Sequence, residues 1–262
     1  MTTFKITVAY DGTDYVGWQR QASGVSIQGL LEDALRALDE RDVPVAAAGR
    51  TDAGVHALGQ VASFTLARAL PCDAIVRAVN ARLPDAVRVL SAAEAPRSFH
   101  ARFDARTKTY RYRIWNGDVM PPFERRYAWH LTGPLDVASM RCAARAIEGQ
   151  HDFGAFRSAG GDVATTVRTI FGSRIAECAE ADGSSPEYTE CGGTLLTYEV
   201  SGDGFLRHMV RSIVGTLVEI GRGRRPADWM TEVRESRNRA TAGQTAPALG
   251  LFLARVGYDD TP

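Results

Sequence analysis

Phe4, Ile6, Val8 and Tyr10 alternate with Lys5, Thr7 and Ala9, and the run ends at the turn residues Asp11 and Gly12. A period of two of this kind marks a half-buried strand. It gives way to a helical stripe in which Ile27, Leu30, Leu31, Ala34, Leu35 and Leu38 share one face behind Ser26, a natural N-cap. A chain that opens with a strand and then a helix, and repeats that order, is confined to mixed architectures. The repetition is plain. Gln60 to Leu66 reads as a strand, Pro71 with Ile75, Ala78, Val79 and Leu83 as a helix, and Ala86 to Leu90 as a strand. A second pass follows: a strand at Thr107 to Trp115, a helix at Leu135 to Glu148, strands at Arg168 to Ile175 and Thr194 to Val200, and a long helix at Phe205 to Ile220.

The predicted fold class is therefore α+β. Two ferredoxin-like (split βαβ) halves, residues 1–104 and 105–262, form a shared, mostly antiparallel sheet with flanking helices and a central cleft. The first half carries the Gly-flanked acidic loop described below, and the second completes the cleft. The polar, turn-rich stretch from Glu180 to Cys191 is expected to be an exposed hairpin loop.

With 262 residues, 45% apolar and 24% charged, the chain has the profile of a soluble globular protein with a sizeable core. No apolar run approaches a membrane span and the N-terminus lacks the blocks of a secretory signal, so a cytoplasmic location is expected. Cys72, Cys142, Cys178 and Cys191 form no CxxC pair, which argues against a zinc ribbon or a disulfide framework. The 31 basic residues are balanced by 31 acidic ones, so any affinity for nucleic acid must come from local patches.

Three segments could carry chemistry. Gly49-Arg50-Thr51-Asp52-Ala53-Gly54-Val55-His56 precedes a strand, and its glycines allow tight backbone geometry around an acid presented on a loop. On its own, the tripeptide Asp-Ala-Gly also fits a plain turn in which Asp52 caps a helix or pairs with Arg50. Arg207 and Arg211 are four apart at the edge of the apolar stripe of the last long helix, placed either to reach a carboxylate in a cleft or to extend into solvent. On the strand from Thr107, Tyr110 and Tyr112 share one face and Arg111 and Arg113 the other. Such a strand suits either stacking on an unpaired base or ordinary core packing. The five histidines, His56, His100, His130, His151 and His208, never stand at zinc-site spacing, and no metal is expected. No GxSxG elbow, GxxxxGK[ST] loop or strand-linked GxGxxG occurs, which removes serine hydrolases, P-loop enzymes and dinucleotide enzymes.

Six motifs, in order, carry a resemblance to a known family. They are Tyr10-Asp11-Gly12-Thr13 with Gly17-Trp18-Gln19, the Gly49–His56 segment with Gly59-Gln60-Val61, Phe99-His100-Ala101-Arg102-Phe103, Tyr110-Arg111-Tyr112, Phe205-Leu206 with Met209-Val210-Arg211 and Ile213-Val214-Gly215, and Thr245-Ala246-Pro247-Ala248 with Gly250-Leu251. Together they resemble the TruA family of tRNA pseudouridine synthases over nearly the whole chain. The resemblance implies Asp52 as the catalytic carboxylate, Tyr110 against the target base, Arg211 paired with the catalytic acid, and Arg50 in displacing the target nucleotide. It implies a homodimer acting on uridines at positions 38 to 40 of the tRNA anticodon stem-loop. Ser63 and Ser212 depart from the pattern, standing where relatives often have His and Asn.

Isomerising uridine to pseudouridine requires no redox partner, metal or energy source, so no cofactor is expected. An ionised Asp can serve as the nucleophile or as the base that starts sugar deprotonation, and both remain open at this point. Two other classes compete. A non-catalytic RNA-binding module explains the Tyr and Arg strand but not an acid in a Gly-flanked loop. A carboxylate-dependent hydrolase commonly uses two acids, and no second acid recurs in a comparably distinctive segment.

Overall fold

The computed structural model describes residues 1–158, 160, 164–177 and 192–258, so the expected Glu180–Cys191 loop lies outside the described residues. In chain order the elements begin with β1 (Thr2–Tyr10), α1 (Ile27–Asp39), β2 (Ala46–Ala47), β3 (His56–Leu66), α2 (Cys72–Asn80) and β4 (Val87–Ala95). They continue with β5 (Thr107–Asn116), β6 (Trp129–Leu131), α3 (Val137–Arg145), β7 (Gly149–Asp152), β8 (Val167–Glu177), β9 (Thr194–Gly202), α4 (Met209–Gly221), α5 (Trp229–Ser236) and β10 (Leu251–Gly257). Two compact units result: residues 1–108 together with the C-terminal segment from Phe252, and Thr109–Leu251. A linear division at 104/105 makes no provision for that returning segment, whose pairing with β3 is long-range in sequence.

In the first unit Phe4, Ile6, Val8 and Tyr10 are buried, as the alternation requires. The Ser26 side chain accepts a hydrogen bond from Gly29 N and starts α1, which buries Ile27, Leu31 and Leu35. Each such side chain taken from water stabilises the fold by roughly 1.5–3 kcal/mol. Helix α2 stops at Asn80 rather than running to Leu83. Pro84 disfavours helical geometry at the residue before it, and the Asn80 amide instead bonds both Val89 N and Val89 O, tying the helix end to β4. Strand β1 is antiparallel to both β3 and β4, and β2 pairs antiparallel with β3. The β1–α1–β2 connection with β3 between its strands is a split βαβ unit. Phe252 and Leu253 of β10 run parallel to His56 and Ala57 at the start of β3.

In the second unit the strand order is β5-β9-β8-β7, with β6 parallel beside β5 and α3 between β6 and β7 in the chain. Helix α3 is shorter than its sequence stripe. Asp136 caps it by accepting from Ser139 N and Ser139 Oγ, and Gly149, at φ +96°, turns the chain into β7. Helix α4 begins at Met209, not Phe205, because His208 adopts left-handed geometry at φ +61°. Arg207 therefore precedes the helix, and the expected pairing of Arg207 with Arg211 on one helical edge is corrected. No described helix is long and apolar enough to cross a membrane.

Candidate active site

The Gly49–His56 segment is held from beneath by two glycine-bearing stretches of the first unit. Val55 N donates to Asp52 O at 3.1 Å, closing a turn whose third residue, Gly54, has φ +74°, the position where such a turn requires positive φ. Trp18 N donates to Thr51 O at 3.0 Å. Next to it Gly17 lies at φ +105°, and a Cβ there would sit 2.6 Å from Thr51 O and 3.0 Å from the Asp52 carbonyl carbon. A Cβ on Gly12 would lie 2.0 Å from Val55 O. Only bare backbone fits under this loop. Thr51 and Val55 are buried, Asp52 between them is half-buried, and Arg50 and Ala53 are exposed.

Hydrogen bonds fix the loop ends, and Asp11 Oδ1 lies 3.1 Å from His56 Nδ1. Gln60 Nε2 donates to Gly49 O at 2.7 Å, which also fixes the amide orientation, since a flipped oxygen would face a carbonyl. The Tyr10 hydroxyl and Thr51 Oγ1 are 2.8 Å apart. Burial pushes that phenol up to about 12, outweighing the opposing hydrogen bonds from Thr51 and Gln60, so it stays neutral. Gly12 N donates to His56 Nδ1 at 3.1 Å, and the His56 ring stacks on Phe252 at 4.6 Å.

In the second unit, the 8% exposed ring of Tyr110 meets Phe205 edge-on at 5.0 Å. Arg211, in the first turn of α4, donates from Nε to Ala246 O at 2.6 Å, and Ala246 N returns a bond to Arg211 O at 3.1 Å. Residues 243–247 form a strap along the helix. Gly243 N donates to Thr216 Oγ1 at 3.0 Å, and a Cβ on Gly215 would lie 1.7 Å from Gln244 O. The far end of the strap is anchored by Tyr112, whose hydroxyl donates to Pro247 O at 2.8 Å. Burial raises that phenol far above its ordinary range, against an opposing pull from Arg211.

A profile of the family described as tRNA pseudouridine synthase matches residues 6–104 and 143–259. The chain belongs to that family. It is 46% identical to tRNA pseudouridine synthase A of Pelobacter propionicus over 98% of this chain and 100% of that protein. It is 46% identical to the Myxococcus xanthus protein of the same name over 100% of this chain and 94% of that one. The Moorella thermoacetica protein of that name is 44% identical over 98% and 100%.

For a tRNA pseudouridine synthase, the distribution of the expected residues is informative. Asp52 and Arg50 lie in the first unit; Tyr110 and Arg211 lie in the second. Arg111 pairs with Glu199 at 3.2 Å and Arg113 with Glu124 at 2.9 Å. Both arginines are half-buried, and Glu199 is shared between Arg111 and Arg174. The motif reading gave the presented groups but not their supports. Tyr10, Gly17 and Gln60 stood inside quoted motifs without a role, and the Gly215 to Gly243 approach had no local signal. Among the described residues, no group of three or more His, Cys, Asp or Glu side chains could hold a metal ion.

Proposed function

We propose that this chain isomerises uridine to pseudouridine in the anticodon stem-loop of tRNA, at positions 38 to 40, with Asp52 as its catalytic carboxylate. The observation that carries the reading is the Asp52 turn. A half-buried carboxylate sits at the head of a loop braced by backbone contacts and by the Tyr10, Thr51 and Gln60 side chains. That bracing holds the acid in one place. Asp52 acts as the nucleophile or as the base on the sugar. The N1 to ribose bond breaks, the uracil turns, C5 joins the ribose, and the proton that leaves C5 is matched by one gained at N1.

The remaining roles follow family membership. Arg211, steered by Ala246 O, is assigned as the ion-pair partner of the catalytic acid. Tyr110 lies against the extruded base. Arg50, exposed beside the acid, displaces the target nucleotide. The enzyme works as a cytoplasmic homodimer without a cofactor. Incubating it with uridine-labelled tRNA in a metal chelator, without added nucleotide, tests the reading. Pseudouridine is the expected product. Release of free uracil would indicate a hydrolase, and tRNA binding without either product a binding module.

A further inference from the structure

Residues 97–108 stand out in a chain whose charges balance. Arg97, Arg102, Arg106 and Lys108 oppose one acid, Asp104, and His100 lies among them. The segment contains a turn built to present one ring. Phe103 N and Asp104 N both donate to His100 O at 3.1 Å. His100 N donates to Asp104 Oδ2 at 2.8 Å, and Arg102 N to His100 Nδ1 at 3.1 Å. Ala101, fully buried, anchors the turn to the sheet: its N donates to Ser63 Oγ at 3.1 Å and its O accepts from the Tyr258 hydroxyl at 2.7 Å. Ser63, one of the two departures from the family pattern, thus supports this turn.

Phe103 nevertheless remains 71% exposed. Its ring is flanked by the His100 ring at 4.3 Å, and the Arg102 guanidinium lies 5.7 Å from its centroid. An exposed aromatic held by its own backbone, with a guanidinium beside it, is complementary to an unpaired base and its phosphate. Ser63 lies seven residues beyond His56 on β3, roughly 23 Å of strand. The platform is therefore far along the unit from the loop that carries Asp52.

We propose that the His100–Phe103 turn is a stacking platform for an unpaired nucleobase of the RNA substrate other than the target uridine, a proposal that rests on the tRNA reading above. Because Phe103 is exposed, its variants test the proposal without disturbing the core. Affinity for a full-length tRNA transcript should fall about fivefold to a hundredfold in Phe103→Ala and in Phe103→Leu, and Phe103→Trp should restore it, since only an aromatic face stacks. Arg102→Gln should lower the salt dependence of binding by about one phosphate contact. Wild-type affinity in the alanine and leucine variants would overturn the platform. So would their sedimentation as a smaller species than wild type, which would make Phe103 a contact between two copies. Binding is read separately from turnover, so an inactive wild-type protein that still needs an aromatic at 103 would overturn the catalytic reading and leave the platform standing.

Discussion

The Asp52 loop and the Arg211 helix solve one problem in opposite ways. Each must hold a charged group still. In the first unit the group is on a loop, which is intrinsically mobile, and rigidity comes from close approach of bare backbone at Gly12 and Gly17 and from the Tyr10, Thr51 and Gln60 hydrogen bonds. In the second unit the group is on a helix, already rigid, and a strap fixes the side chain itself through Arg211 Nε and Ala246 O. A loop needs its backbone braced, whereas a helix needs only its side chain aimed. The two supports should therefore fail differently when broken.

The largest effect is expected from Gly215→Ala. A methyl 1.7 Å from Gln244 O forces the strap off α4 in the middle of the second unit's core. Overpacking against backbone should cost about 3 kcal/mol or more, read as a fall in melting temperature of roughly 6–12 °C. A melting temperature within a degree of wild type would show that strap and helix separate freely.

Gly17→Ala should be milder for stability, about 1–2 kcal/mol from the positive φ and the contact with Thr51 O. Its effect on turnover should exceed that loss, because the Asp52 backbone moves. A displacement of even about 1 Å at a catalytic group can lower rate a hundredfold. Turnover per folded molecule equal to wild type would break the claim that this loop depends on its backbone bracing.

Tyr110→Phe should have the smallest effect on the fold, since it keeps the buried ring against Phe205, whereas Tyr110→Ala empties that space and should cost about 3 kcal/mol or more. On turnover the alanine variant should lose the stacking of the target base, about 1–3 kcal/mol, while Tyr110→Phe retains that stacking. Normal turnover in the alanine variant would return Tyr110 to the core and nothing more.

How far the sequence disclosed all this depends on where each cause resides. The Asp52 turn was legible because it is contiguous: its glycines, its acid and the following strand fall within a single short segment. The strand at Phe4 to Tyr10 and the helix behind Ser26 were legible for the same reason, each having a period and a cap of its own. Strands β2, β6 and β7 are too short to show any period. The parallel pairing of β10 with β3 joins residues at opposite ends of the chain, and the approach of Gly215 to Gly243 is between backbones, which side-chain patterns do not record. His208 illustrates a further limit. Its neighbours continue the apolar stripe back to Leu206, but the left-handed residue ends the helix before Arg207. The pairing of Arg111 with Glu199 and of Arg113 with Glu124 was hidden because both acids are remote in sequence.

The most direct test is Asp52→Asn, assayed for pseudouridine formation, tRNA affinity and melting temperature on one preparation. The substitution keeps the side chain's shape and removes its charge and nearly all its nucleophilicity. The account predicts no detectable pseudouridine, tRNA binding equal to or slightly tighter than wild type as one negative charge facing phosphates is lost, and a protein that still folds, because the loop's backbone bracing does not depend on that charge. Turnover per folded molecule near wild type, with a lowered melting temperature, would contradict it and make Asp52 part of the scaffold.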